Sequence, residues 1–132
     1  MNQRFNPRQI AVFTIALAMV FSMSACSAIA ELGPMAEAGN AFMKTMKAGD
    51  STASFAKLAA PLQKEIGGEE GWGKFAEPRV PKEWSFSNKA ISNGEGTLEG
   101  SADFANGQHL DVRLTLVKES ADWKVAGIHF GK

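Results

Sequence analysis

The chain has 132 residues, 45% of them hydrophobic, with 14 basic residues against 14 acidic ones. That is material for one globular domain, and the neutral balance excludes the dense Lys/Arg surface that nucleic acid demands. The supply of Leu, Ile, Val, Phe and Trp excludes an intrinsically disordered chain beyond about residue 34.

The first element in chain order is a leader. Arg4 and Arg8 form a positive head, no acidic residue precedes Glu31, and "IAVFTIALAMVFSM" (10–23) is apolar apart from Thr14 and Ser22. Small residues follow at Ser24, Ala25, Ser27 and Ala28, around Cys26. This order is that of a secretory signal peptide, and the run falls short of the roughly 20 apolar residues of a spanning helix. Removing residues 1–25 leaves 12 basic and 14 acidic residues, a net charge of −2.

"MSAC" (23–26) resembles the lipobox of bacterial lipoproteins, although Met23 stands where Leu is commonest. The resemblance implies that Cys26 becomes the first mature residue and carries a diacylglycerol, with further acylation (palmitate) of the new amino terminus. Two or more acyl chains anchor firmly at about 0.8 kcal/mol per buried methylene. Ser27, which is not Asp, implies the outer membrane facing the periplasm in a two-membrane cell. The rival site is "AIA" (28–30), where cleavage after Ala30 releases a soluble periplasmic protein without Cys26; both remain open. As the lone cysteine, Cys26 forms no internal disulfide and belongs to no CxxC or Cys/His cluster. The expected organisation is a signal peptide over 1–25, a lipidated tether over 26–33 and a folded domain over 34–132.

"GPMAEAGNAFMKTMKAGD" (33–50) predicts a helix that starts at Pro34 and stops at Gly49. Met35, Ala38, Phe42 and Met46 fall on one face at helical spacing, which predicts a core face. "DSTASFAKLAAPLQKEIGG" (50–68) offers Asp50, Ser51 and Thr52 as caps and lines up Phe55, Leu58, Leu62 and Ile66. Pro61 predicts a break or kink at Ala60, and Gly67-Gly68 ends the unit. "EEGWGKFAEP" (69–78) predicts a short helix carrying Trp72 and Phe75.

Beyond Pro81 the pattern changes to alternation. Trp84, Phe86 and "NKAIS" lead into Asn93-Gly94, and "GTLEGSADF" (96–104) leads into Asn106-Gly107. These predict two strands with tight turns. "HLDVRLTLVK" (109–118) puts Leu110, Val112, Leu114 and Leu116 on one face, and "WKVAGIHF" (123–130) closes the chain. Helices followed by a four-strand meander predict an α+β domain.

This order, with "KAGD" closing the first helix and "LVKESADWKVAGIHF" at the end, resembles the nuclear-transport-factor-2-like (NTF2-like, or cystatin-like cone) superfamily over about residues 35–131. The best-matching stretches are Leu62–Gly68 and Leu114–Phe130. The resemblance implies a curved four-stranded antiparallel sheet wrapped around the N-terminal helices, with a cone whose open end can hold a ligand, and for several members a homodimer formed through the sheet. If such a pocket exists here, Trp72, Phe75 and Trp84 are the residues expected at its mouth, with Trp72 partly exposed at the rim.

Chemistry is thinly represented. The phenol used by ketosteroid-isomerase-like members is missing, because the chain has no tyrosine. Asp111 opposes the apolar face of its strand, which predicts a solvent-facing carboxylate, and His129 alternates away from Ile128 and Phe130. His109 and His129 lack a firm third ligand, so no metal site is expected. "GEGTLEG" (94–100) lies between strands, so no helix N-terminus waits for a phosphate. The expectation is a lipid-anchored cell-envelope binding or scaffolding domain without catalysis or cofactor, holding a small apolar ligand or a protein partner. The alternatives are a small isomerase- or hydrolase-like enzyme that uses a carboxylate in the cone, and a purely structural domain.

Overall fold

The computed structural model describes residues 30–131; the leader and Cys26 lie outside them. From Leu32 onward the chain forms one compact unit.

Helix α1 covers 30–47, so it is already formed four residues before the expected start. Pro34 lies inside it, where the missing N–H forgoes a single bond, to the carbonyl of Ala30. Met35, Phe42, Met43 and Met46 are buried on one face. Gly39 lies among them because the sheet comes close, and a Cβ there would lie 2.2 Å from Leu98 Cδ1. Gly49, at φ +71°, ends the turn after the helix.

Helix α2 (Ser51–Ala56) is capped by Asp50, whose Oδ1 accepts from the Ala53 N–H at 3.0 Å. The chain then opens at Lys57–Ala59 and pairs with the sheet: Ala59 N donates to the Val125 carbonyl, and Val125 N to that of Lys57. Helix α3 (Ala60–Glu65) follows, with Pro61 in its first turn. The expected break is present one residue early. The extended residue is Ala59 (φ −65°, ψ 148°), because its bond to Val125 holds the segment open while Pro61 suits a helix start. Gly67, at φ +88°, turns the chain into α4 (Gly68–Ala76), which ends before Pro78.

Strands β1 (Pro81–Ser92), β2 (Glu95–Phe104), β3 (His109–Glu119) and β4 (Asp122–Gly131) form one antiparallel sheet in sequence order. Asn93-Gly94 turns the first hairpin with both residues at positive φ. Register fixes the faces: Leu98 opposes Leu114, Gly100 opposes Val112, and Val112 opposes Phe130, so this row points towards the helices. Thr97 opposes Thr115, Glu99 opposes Arg113, and Arg113 opposes His129 on the other face. Helices on one side of a four-stranded meander are the α+β arrangement expected from the sequence.

In such a meander the Asn93-Gly94 and Ser120-Ala121 turns share one end of the sheet, and the Asn106-Gly107 turn lies at the other. Helix α1 runs between these ends. Met35 lies against Gly96, beside the first turn, where a Cβ would come within 2.8 Å of Met35 Cγ. At the other end Met46 shares a groove with Val80, whose carbonyl accepts from Ala105 N at 2.8 Å.

Candidate functional site

The concave side of the sheet is the first place to look, and it is filled by the protein's own side chains. Met35, Phe42, Met43, Leu58, Trp72, Leu98, Leu114 and Leu116 are all at most 1% exposed. Ser54 is the one buried polar residue among those described, and no carboxylate lies in this layer. Asp103 and Asp111 are exposed on the opposite face, as alternation predicted for Asp111.

Trp72 corrects an expectation. It is fully buried (0% exposed) rather than at a rim, because its ring packs on Phe42 of α1 and its N–H finds an acceptor on α2. Its indole Nε1 donates to Ser54 Oγ at 2.7 Å, and that hydroxyl lies 3.0 Å from the Asp50 carbonyl, to which it donates. Its ring packs on Phe42 (centroids 5.8 Å apart) and Phe75 (5.4 Å), and the series continues through Phe130 to Phe104. Phe75 is half-buried, with the Arg79 guanidinium 4.2 Å over its ring while Arg79 Nη1 donates to the Phe75 carbonyl. This arrangement closes the end of the core. Trp84 is half-buried on β1, and its Nε1 donates to Asn40 Oδ1 on α1 at 2.9 Å. The structure therefore unites Trp72 with Phe75 in a packed stack and uses Trp84 as a strand-to-helix tie.

Two surface features remain. On the outer face of the sheet, Ser85, Asn88, Glu99, Ser101, Asp111, Arg113 and His129 line a shallow depression of about 620 Å³. Glu99 and Arg113 pair across it at 3.3 Å. His109 Nδ1 lies 2.6 Å from Asp103 Oδ1 at the end of this face, and register keeps it apart from His129, which opposes Arg113. Among the described residues no group of three or more His, Cys, Asp or Glu side chains is placed to hold a metal.

The second feature is a groove of about 550 Å³ between the C-terminal end of α1, the start of α2 and α4. Met46, Ala76 and Val80 give it an apolar floor, with Ser54 at its base. Asp50, Glu69, Glu70 and Glu77 line its edges with Lys74. The walls are fixed to each other, since Thr52 Oγ1 on α2 donates to Glu69 Oε1 on α4 at 2.6 Å. Sequence reading found Asp50 as a cap but missed this groove. The signal available was "GGEEGWGK", a short helix that carries acids on one side and only glycines beside its tryptophan.

No family model matches the chain, and no curated protein does. Solved structures do match. An NTF2-like protein of unknown function from Silicibacter pomeroyi superposes with a TM-score of 0.57 at 13% identity, covering 76% of this chain and 95% of its own. A DUF4783 family protein from Bacteroides ovatus gives 0.53 at 13% identity, covering 70% and 92%. An NTF2-like protein of unknown function from Shewanella oneidensis gives 0.52 at 12% identity, covering 76% and 98%. The domain therefore has the NTF2-like fold, in agreement with the resemblance carried by its sequence.

Proposed function

We propose that this chain is a lipid-anchored cell-envelope domain that works by binding a partner on its outer surfaces, without catalysis. The observation that carries the mode of action is the packed concavity. An NTF2-like enzyme or small-ligand carrier uses the space between helices and sheet, and here Trp72, Phe42 and the methionines of α1 occupy it. A catalytic carboxylate tuned by burial has no counterpart in that layer. The address is supported by the position of Cys26 at the end of the apolar run. Among the described residues no helix is long and apolar enough to cross a membrane.

The test is a Cys26→Ser variant expressed in a two-membrane bacterium with labelled palmitate. The wild-type chain is expected to take up label and to fractionate with the outer membrane at its processed mass, and the variant to take up none and keep its leader. A variant that fractionates with membranes at the wild-type mass overturns the anchor. Native mass spectrometry of the purified protein tests the mode of action, and a stoichiometric co-purifying small molecule overturns it.

A further inference from the structure

We propose that the groove between α2 and α4 is a docking site for a basic, amphipathic segment of a partner protein. The proposal deepens the reading of the chain as an interaction domain and does not depend on lipidation.

Charge comes first. The groove is lined by the carboxylates of Asp50, Glu69, Glu70 and Glu77 against one ammonium, Lys74. Two other described depressions of comparable size carry a smaller excess or none. Glu99 and Asp111 face Arg113 on the outer face, and Glu37 and Asp122 meet Lys57 and Lys124 beside the start of α1. Lys74 is already shared with Glu70 at 3.7 Å, and Glu77 has no side-chain partner among the described residues. An excess of negative charge concentrated along a concave edge raises the local concentration of cationic groups.

The floor narrows the class of occupant. Half-buried Ala76 and Val80 present apolar surface between the acidic edges, over the nearly buried Met46. A small hydrated cation gains nothing from that floor. A segment that alternates Lys or Arg with an apolar residue meets both parts. The site is also preorganised, because the Thr52–Glu69 bond spans its two walls and Trp72–Ser54 fixes its base, so little ordering cost falls on this side of the complex.

The test uses the full chain purified in a zwitterionic detergent, with backbone amide shifts read by NMR. The probes are acetylated Lys-Leu-Lys-Lys-Leu-Lys, its analogue with Glu in place of Lys, and spermine. The basic peptide is expected to shift the amides of Gly49, Gly73 and Ala76 and to bind at least tenfold more tightly than the acidic analogue. A Glu70→Lys/Glu77→Lys variant is expected to lose at least tenfold in affinity, while peptide uptake by detergent stays common to both proteins. Gly73→Lys provides a second variant: a Cβ there meets nothing within 4 Å, so the fold is kept while the groove is filled, and the same loss is expected. Shifts confined to Thr97, Arg113 and His129, equal binding of the two peptides, or no binding overturn the groove. Spermine binding as tightly as the peptide overturns the protein segment in favour of a small polycation. Because these readouts contain neither lipid attachment nor co-purification, loss of the groove leaves the Cys26 and mass-spectrometric results standing.

Discussion

The Trp72–Ser54 contact makes a quantitative test of how the helical layer is held. The indole N–H is at 0% exposure and its acceptor is Ser54 Oγ at 2.7 Å. Ser54→Ala removes that acceptor and strands a buried donor, which costs about 1–3 kcal/mol. Trp72→Phe removes the donor, and the serine hydroxyl still donates to the Asp50 carbonyl at 3.0 Å, so the cost there is that of the void left by the smaller ring. Once residue 72 is phenylalanine, Ser54→Ala has no donor to strand. The two changes together are therefore expected to cost less than the sum of the singles, by about 1–2 kcal/mol. For a domain of about 100 residues, 2 kcal/mol in Ser54→Ala corresponds to a fall in Tm of roughly 8–16 °C. Urea denaturation of the four proteins, followed by far-UV circular dichroism, measures the coupling. A value within about 0.3 kcal/mol of zero refutes the reasoning, because the indole would then be satisfied from elsewhere, for instance by water entering from the groove that Ser54 lines.

Two further tests concern packing within the sheet and between the sheet and α1. Gly100→Ala places a Cβ 1.8 Å from the Ser85 carbonyl oxygen, which is backbone, whereas Gly39→Ala meets Leu98 Cδ1, the end of a flexible side chain. Gly100→Ala is therefore expected to cost more than about 2 kcal/mol and Gly39→Ala clearly less; equal costs by urea denaturation refute this reading. Trp84→Phe removes the Nε1 bond to Asn40 Oδ1 and is expected to cost about 1 kcal/mol, with weaker hydrogen-exchange protection in β1; unchanged protection refutes the tie.

The sheet was legible because its signals are local. Alternation in "HLDVRLTLVK" places Leu114 inward and Arg113 outward whatever the rest of the chain does, and Asn-Gly fixes the first turn through positive φ. Helix boundaries depended on tertiary bonds and were less legible. The chain opens at Ala59 rather than Ala60 because Val125, more than sixty residues later, receives its N–H. The site was the least legible part. Trp72 lies among glycines and glutamates, a setting that reads as surface, yet Phe42 and Ser54, distant in sequence, receive its ring and its N–H in the interior. Its acceptor, Ser54, has no sequence signal that separates it from the capping residues beside it.

Burial of Trp72 also supports the proposed binding on the outer surfaces. A cone of this kind needs empty space between helices and sheet, and here the bulk for filling it comes from α1 and α4 together. Met35, Phe42, Met43 and Met46 enter from one helix and Trp72 from the other. Thioethers and a large indole are suited to irregular space, since Met adapts its shape and Trp supplies volume with a polar end that Ser54 satisfies. Opening a pocket would require removing Trp72, which loses both the ring stack with Phe42 and Phe75 and the hydrogen bond, a cost of about 3–5 kcal/mol for truncation to alanine. That is a large share of the 5–15 kcal/mol that holds a domain folded. On the binding reading proposed above, a closed interior leaves recognition to the outer surfaces, and among the described depressions there the groove beside Ser54 carries the largest excess of carboxylates, four against Lys74.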